Sequence, residues 1–300
     1  MLVNGLQFQR IQLSDRPLFD AAYRSCRHEG SESSFTNLFI WREPLDIVWT
    51  RIGNSVCVVV RQDGPVYALH PCAPEREQSV QAARLLAQWF DQQGQPLLIK
   101  GLELGLAEML AEEFPSWKIE HDRPEDDYIY CVRELIELKG RKFEAKRHHI
   151  KTFLRQNYNY AYEPMNGQNA LECIPLAKEW LERQRCEDRI MQAELFAVEQ
   201  ALSQFDALSL SGGIIRIDGM VKSFTVGEAL CEDTAVIHIE KADPSIAGLY
   251  QMINREYLAH AWPQMSFVNR EEDMGIDGLR AAKQSYRPVR MVEKYRASAE

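Results

Sequence analysis

Several side chains of this 300-residue chain are suited to proton transfer or anion binding. Glu228 and Glu240 fall in strand-like runs, residues 221–229 and 234–240, and a carboxylate fixed on a strand beside a cleft can act as a general base. Asp273 stands just ahead of a helical run, where a carboxylate more often caps the helix. Arg270 and Arg280 can each grip a carboxylate or phosphate through two parallel hydrogen bonds, or pair with neighbouring acids at the surface. Between Lys139 and Arg155 stand seven basic residues (Lys139, Arg141, Lys142, Lys146, Arg147, Lys151, Arg155) and one acid, Glu144. That segment carries +6 in a chain of net charge −9, so the remainder carries −15. A positive patch on an acidic protein is a seat for phosphate groups, or else a solvated helix face.

Other chemistries fail on spacing. The seven cysteines (Cys26, Cys57, Cys72, Cys131, Cys173, Cys186, Cys231) are odd in number, far apart and without a C-x-x-C pair. The expectation is neither a disulfide framework nor a zinc site, with Cys57 a small core hydrophobe. His148 and His149 are adjacent, so on a helix they point about 100° apart and cannot share a metal. His70-Pro71-Cys72 shows no third partner for a nucleophilic pair. There is no Walker loop, dinucleotide glycine pattern or H-E-x-x-H motif, and no metal is expected.

The elements that must position these residues follow from periodicity. At 45% hydrophobic and 26% charged, the composition excludes a largely disordered or fibrous chain, and the length fits one large or two medium domains. The longest unbroken apolar run (56–60) is far below the roughly 18–20 residues that span a bilayer, and the start lacks the basic and apolar segments of a signal peptide. A cytoplasmic protein without an integral membrane segment is expected. In the first half, strands are predicted at 8–13, 47–51, 55–62, 66–70, 96–100, 117–121 and 127–132, with a hairpin at Gly53-Asn54. Helices are predicted at 15–23, 37–42, 77–92 and 102–113. Helical turns at 135–138 and 143–157 surround Gly140, and the domain boundary is placed there: 1–140 and 141–300. The second half reads strand 158–163, helices 170–185 and 193–205, strands 208–217, 221–229 and 234–240, helix 246–262, strand 265–269, helix 276–286 and strand 289–295. Asp218-Gly219 marks a two-residue hairpin turn, and Ile246, Leu249, Tyr250, Ile253, Tyr257 and Leu258 share one helical face. The fold class is α/β (α+β): two tandem domains, each a mixed, mostly antiparallel sheet flanked by helices.

The element order of the second half resembles the GNAT acyltransferase fold, and the first half gives a blurred version of it. That resemblance implies an acyl donor lying where two central parallel strands splay, along residues 234–241 with Ile239, Lys241 and Ala242, next to a helix N-terminus that favours anions. Of the glycine-rich loop that grips a pyrophosphate in that fold, only Gly248 is present, and Asp243-Pro244-Ser245 reads as a helix cap. Tyr286 stands where such enzymes place a tyrosine acid.

More specific is the stretch from Phe267-Val268-Asn269-Arg270-Glu271-Glu272-Asp273 through Gly278-Leu279-Arg280 to Lys283-Gln284-Ser285-Tyr286-Arg287-Pro288. With Phe35-Thr36-Asn37-Leu38-Phe39-Ile40-Trp41, the basic segment running to Tyr160-Ala161-Tyr162-Glu163, Val226-Gly227-Glu228 and His238-Ile239-Glu240-Lys241-Ala242, it resembles the bacterial family related to the C-terminal domain of phosphatidylglycerol lysyltransferase. Members of that family with lysyltransferase activity move an aminoacyl group from transfer RNA to a lipid headgroup. Gly278-Leu279 with Lys283 and Tyr286 is also similar to a segment of Fem-type aminoacyltransferases. That similarity implies that Lys283 steadies a developing oxyanion or a phosphate. Ala282 and Arg287 depart from the Fem-type pattern.

The expected function is an acyl- or aminoacyltransferase. Its catalytic candidates are Lys283, Tyr286, Glu228 and Glu240. Donor-binding candidates are Ile239, Lys241, Ala242 and Gly248, with Lys146, Arg147 and Lys151 on the phosphates of aminoacyl-tRNA, and acceptor-binding candidates are Asn269, Arg270 and Arg280. The acceptor is a small molecule or a lipid headgroup, and no cofactor beyond the donor is certain. Two alternatives stand beside this: an acetyl-CoA-dependent N-acetyltransferase acting on a small amine, and a non-catalytic binding or regulatory module that keeps the fold.

Overall fold

The computed structural model describes residues 5–26, 29–61, 64–156, 159–183 and 188–299. The chain begins with β1 (Gln9–Arg10), α1 (Arg16–Cys26), α2 (Phe35–Trp41), β2 (Ile47–Ile52), β3 (Ser55–Val60) and β4 (Tyr67–Leu69). Next come α3 (Arg76–Gln92), β5 (Leu98–Leu102), α4 (Leu104–Glu113), β6 (Lys118–His121), β7 (Asp127–Cys131), α5 (Val132–Glu137) and α6 (Glu144–Arg155). The remainder is β8 (Tyr160–Pro164), α7 (Ile174–Glu182), α8 (Asp188–Ser203), β9 (Ser211–Ile217), β10 (Met220–Ala229), β11 (Thr234–Ala242), α9 (Leu249–Ala261), β12 (Phe267–Asn269), α10 (Asp277–Gln284), β13 (Arg290–Val292) and β14 (Tyr295–Ser298). Local chemistry accounts for much of this. Asp218 (φ 50°) and Gly219 (φ 79°) both take the left-handed conformation that a two-residue β9–β10 turn needs. Ser34 accepts a hydrogen bond from the Asn37 amide and so caps α2.

Two compact units result. Unit 1 comprises Met1–Asp127, Glu272–Ile276 and Val292–Glu300, and unit 2 comprises Tyr128–Glu271 and Asp277–Met291. In unit 1 the sheet order is β1-β2-β3-β4-β5-β14-β6, in unit 2 β8-β9-β10-β11-β12-β7-β13. β4 and β5 run parallel, as do β11 and β12, while β1–β2, β2–β3, β3–β4, β5–β14, β14–β6, β8–β9, β9–β10, β10–β11 and β12–β7 are antiparallel. Both sheets are therefore mixed, with helices alongside, and each holds one parallel pair among antiparallel ones.

The two halves trade their last strands. β7 follows the edge strand β6 of unit 1 but enters the sheet of unit 2 next to β12. β14 follows the edge strand β13 of unit 2 but enters the sheet of unit 1 between β5 and β6. The stretch expected as one strand over 289–295 is therefore two, broken at Glu293-Lys294, where the Lys294 amide donates to Asp126 Oδ1 at 2.9 Å. The chain passes between units near residue 127, ahead of the 140 read from Gly140. Tyr128, Tyr130, Val132 and Leu135 all belong to the core of unit 2. Against the expectation for the cysteines, Cys26 and Cys72 form a disulfide. The two residues lie 46 positions apart, and the Cys72 main chain pairs with Val56 of β3. That bond also removes the His70–Cys72 reading. Cys186 lies outside the described residues.

In unit 2, α9 lays Met252, Ile253, Tyr257 and Leu258 on Ile215, Ile217, Ala235 and Ile237 of the sheet, and α6 adds Ile150 and Phe153. Burying one such aliphatic side chain contributes ~1.5–3 kcal/mol, so α9 is firmly seated beside the parallel strands. No helix among the described residues is long and apolar enough to cross a membrane.

Candidate active site

β11 pairs with β10 from Ala235 to Ala242, but with β12 only over Thr234–Val236 against Phe267–Asn269. Beyond that point each strand follows its outer neighbour. β12 is drawn along β7, and the pairing continues past it, with the Arg270 amide donating to the Tyr128 carbonyl and the Tyr128 amide to the Glu271 carbonyl. The parallel pair thus parts after three residues.

A bulge sits at the parting. Val226 faces Ile239 and Gly227 faces Ile237, so His238 is the extra residue on β11. The bulge breaks the two-residue alternation. Ile237 packs with the α9 core and Glu240, three residues on, meets Asn254 of α9, whereas His238 turns to the other face and meets Glu228 of β10. The His238 side chain is 2% exposed while the residue as a whole is half-buried, so the part open to solvent is main chain.

One ion pair on each face bridges the parted strands. On the α9 face, Arg270 Nη2 donates to Glu240 Oε1 at 2.9 Å, and Asn254 donates to Glu240 Oε2 at 3.1 Å. On the opposite face, His238 Nδ1 lies 2.9 Å from Glu271 Oε1 and Nε2 lies 3.1 Å from Glu228 Oε1. Burial opposes charge on His238, but the two carboxylates more than offset it and raise its pKa to about 10. It is an imidazolium clamp at neutral pH. Glu271 is held for it in a left-handed turn (φ 59°) by its amide donating to Asn269 Oδ1 at 2.7 Å.

Around Arg270 the groups converge. Its guanidinium carbon is 4.8 Å from the centroid of the Tyr286 ring, and its Nη1 is buried with no acceptor among the described residues. Lys146 Nζ is 3.6 Å from the same ring centroid and 2.6 Å from Ser285 Oγ. Burial, and then the Arg270 charge, lower the Lys146 pKa to about 8 against the pull of Glu240. Burial pushes the Tyr286 phenol up to about 12 despite Arg270, so it keeps its proton at neutral pH. Lys283 Nζ donates to the Arg270 carbonyl, and the Tyr130 hydroxyl donates to the Lys283 carbonyl at 2.8 Å. α10 is thereby fastened across the end of β12. Lys283, Tyr286, Glu240 and Arg270 are thus gathered in one place, and Glu228 stands on the other face of the same parting.

The remaining candidates are placed differently. Ile239, Lys241 and Ala242 are paired into the sheet with β10. Lys241 is buried, ion-paired with Glu194 of α8 and 3.4 Å from the Trp180 ring centroid. Asp243 accepts from Ser245, Arg183 and Lys222. Burial would raise its pKa, but these partners lower it to about 2. Gly248 (φ 81°) is needed for packing: a Cβ there would stand 2.1 Å from the His149 carbonyl oxygen of α6. The N-terminus of α9 is therefore covered by α6, and the residues before it form an internally compensated cluster.

The basic segment divides by helical phase. Lys146 shares the inward stripe with Ile150 and Phe153. Arg147 donates to the carbonyls of Leu138 and Gly140, so it caps the end of α5. Lys151 is exposed, and with Arg141, Lys142, His148 and His149 it borders an open depression of about 660 Å³. Asn269 is fully buried in its turn role, Arg280 is half-buried on α10, and Asp273 holds the Gly275 amide and Arg123 within unit 1. Among the described residues no group of three His, Cys, Asp or Glu side chains could hold a metal ion.

Residue type and spacing alone do not mark His238, Glu271, Asn254, Tyr130 or Ser285. A histidine flanked by Ile237 and Ile239 on a strand is a signal for a paired buried charge, but the bulge that aims it is a property of strand register.

Residues 23–298 match the family model described as phosphatidylglycerol lysyltransferase, C-terminal. A conserved protein of unknown function from Bacteroides thetaiotaomicron VPI-5482 is 33% identical and superposes with a TM-score of 0.90 over 99% of this chain and 100% of that one. The structure of L-PGS from Bacillus licheniformis is 13% identical with a TM-score of 0.66, covering 95% of this chain and 92% of that one. FemX is 10% identical with a TM-score of 0.58 and 97% coverage of both. At such identities these two likenesses are likenesses of fold. An uncharacterized protein of Mycoplasmoides gallisepticum, MYCGA3080, is 27% identical over 177 residues, and the match spans about half of each protein, 56% of this chain and 54% of the relative.

Proposed function

The chain belongs to the phosphatidylglycerol lysyltransferase C-terminal family, a family of aminoacyltransferases, and from that premise we propose that its second unit moves an aminoacyl group from an ester on transfer RNA to an amine or hydroxyl acceptor. The observation that carries this reading is the parting of β11 from β12 with ionisable groups, in place of apolar ones, set across it. Attack on an ester carbonyl needs cations where the oxyanion forms, a group to take the acceptor proton and an acid for the leaving oxygen. Arg270, whose Nη1 is unmatched, and Lys283 supply the cations. Lys146, partly neutral near pH 8, can take a proton, and Tyr286, protonated until far above neutral pH, can give one. Glu240 keeps Arg270 in place, and Glu228 and His238 keep the parting open at a set width.

The covered N-terminus of α9 favours this donor over acetyl-CoA. A pyrophosphate would meet Asp243, already compensated by Arg183 and Lys222, and a helix start closed by the His149 carbonyl. The phosphates of a polynucleotide would instead lie at Lys151 on the exposed side of α6 and at Arg141 and Lys142 in the turn before it. A location in the cytoplasm, where charged transfer RNA is found, and either a small-molecule or a lipid-headgroup acceptor fit this reading.

The test is enzyme-dependent loss of label from a pool of transfer RNA charged with labelled amino acids. Wild-type protein should deacylate or transfer it well above the spontaneous rate, Arg270→Ala and Tyr286→Phe should not, and binding should weaken with salt as released counterions oppose it. Stabilisation by acetyl-CoA that grows with ligand concentration, with no action on charged transfer RNA, would support the N-acetyltransferase alternative instead. No turnover with either donor would leave the binding-module reading.

A further inference from the structure

Ser285 follows α10 directly and is exposed, yet its hydroxyl is held against a buried amine. Lys146 Nζ donates to Ser285 Oγ at 2.6 Å, and Ser285 Oγ donates to the Ala282 carbonyl at 2.5 Å. Lys146 reaches the serine from α6, where it is 8% exposed, and the Tyr286 ring covers its other side. The charged and titratable groups facing the amine are Arg270 after β12, Glu240 on β11 and Tyr286 after α10. A hydroxyl on an exposed residue, in contact with the amine of a buried one, is the arrangement by which a weak nucleophile is activated by an adjacent base.

We propose that Ser285 and Lys146 form a nucleophile–base pair that carries the acyl group on the enzyme between donor and acceptor. The proposal rests on the acyl-transfer reading of the same site. In the first step neutral Lys146 takes the Ser285 hydroxyl proton as Oγ attacks the donor ester carbonyl. The carbon–oxygen bond to the donor alcohol then breaks, and the departing oxygen takes the proton from the Lys146 ammonium. Ser285 is left as an ester. In the second step the acceptor amine or hydroxyl attacks that ester, gives its proton to Lys146, and the Ser285 oxygen leaves and recovers the proton. No oxidant or metal enters the balance. The fixed cation beside this pair, Arg270, serves both tetrahedral intermediates. Ser285 points to the Ala282 carbonyl while Lys146 is charged. Once Lys146 is neutral, rotation of the hydroxyl about the Ser285 Cβ–Oγ bond lets it donate to Nζ, with Oγ already at 2.6 Å. The lowered pKa of about 8 makes that neutral form accessible.

The experiment uses p-nitrophenyl acetate as the acyl donor, with a stopped-flow burst, intact-protein mass and peptide mapping. The full chain should release one equivalent of p-nitrophenolate in a burst and carry one acetyl group, mapped to Ser285. The burst rate should rise with pH through a midpoint near 8. Ser285→Ala should show no burst, Lys146→Met should slow it by roughly a hundredfold or more, and Ser285→Cys should restore acylation at the same position. Circular dichroism checks that each variant is folded. Acetyl mapped to Lys146 or elsewhere in wild type, or a burst unchanged in Ser285→Ala, overturns the pair. If wild type transfers from charged transfer RNA and Ser285→Ala does so equally well, the pair falls and the transferase reading stands. A Ser285 burst in a protein that never acts on charged transfer RNA upholds the pair and overturns that donor.

Discussion

Replacing His238 with Gln removes a cation that Glu228 and Glu271 share on that face of the parting. The side chain is 2% exposed, and its carboxylate partners at 2.9 and 3.1 Å are 22% and 12% exposed. Glutamine keeps much of the shape and some hydrogen bonding, but removes the positive charge set between the two carboxylates. Breaking a buried pair in this way costs ~3–5 kcal/mol. The titration gives a similar figure: a rise from 6.5 to about 10, at about 1.4 kcal/mol per pKa unit, bounds the contribution at about 5 kcal/mol. The pH course follows from the sign. The folded state holds the His238 proton more tightly than the unfolded state, so the stabilisation is full below pH 6.5 and is lost as pH rises through 10. Urea unfolding of the wild type and His238→Gln at pH 6, 8 and 10 measures it. Taking the difference between the two proteins cancels other titrating groups. The gap should be several kcal/mol at pH 6, smaller at pH 8 and nearly closed at pH 10, and adding Glu228→Gln should recover part of it. A gap that does not change with pH, or one below about 1 kcal/mol at pH 6, where a broken buried pair should cost several, would refute the clamp.

The other predictions concern single contacts. Gly248→Ala sets a Cβ against the His149 carbonyl at a left-handed φ, and main chain cannot yield cheaply; thermal unfolding should show a loss of ~2 kcal/mol or more. Lys146→Met should stabilise the protein at pH 7 while slowing Ser285 acylation. The folded state holds this lysine proton less tightly than the unfolded state, so the penalty is full below pH 8 and fades as pH rises through 10.5; solvent screening keeps it below ~3 kcal/mol, and an equal gain at pH 7 and pH 10.5 would count against it. In unit 1, Lys294 is 4% exposed and lies 2.9 Å from Asp127 and 2.6 Å from Glu32. Lys294→Met should cost ~3–5 kcal/mol by denaturant titration, and less when Asp127→Asn accompanies it.

Much of this protein is written in local pattern. The hairpin at Asp218-Gly219, the apolar stripe of α9 and the helix–helix–three-strand order of the second half needed only periodicity and turn chemistry, because each depends on residues a few positions apart. The family is recognisable from short stretches scattered along the chain, and residue type marks Lys283, Tyr286, Glu240 and Arg270 without showing where they meet. The three basic residues Lys146, Arg147 and Lys151 show where local pattern stops. Their charge is plain in the sequence, and helical phase puts Lys146 on the stripe of Ile150 and Phe153, but what faces that stripe is decided by α10 arriving from residue 277 onward. The same holds for the exchange of β7 and β14, for the Cys26–Cys72 bond and for the bulge at His238. Each depends on a partner dozens to hundreds of residues away, and a pleated strand offers identical main-chain groups to any neighbour. The sequence by itself determined which segments form helices and strands and which charges they carry. Only the tertiary structure decided which strands lie side by side, and so which of those charges are buried, paired and shifted enough to do chemistry.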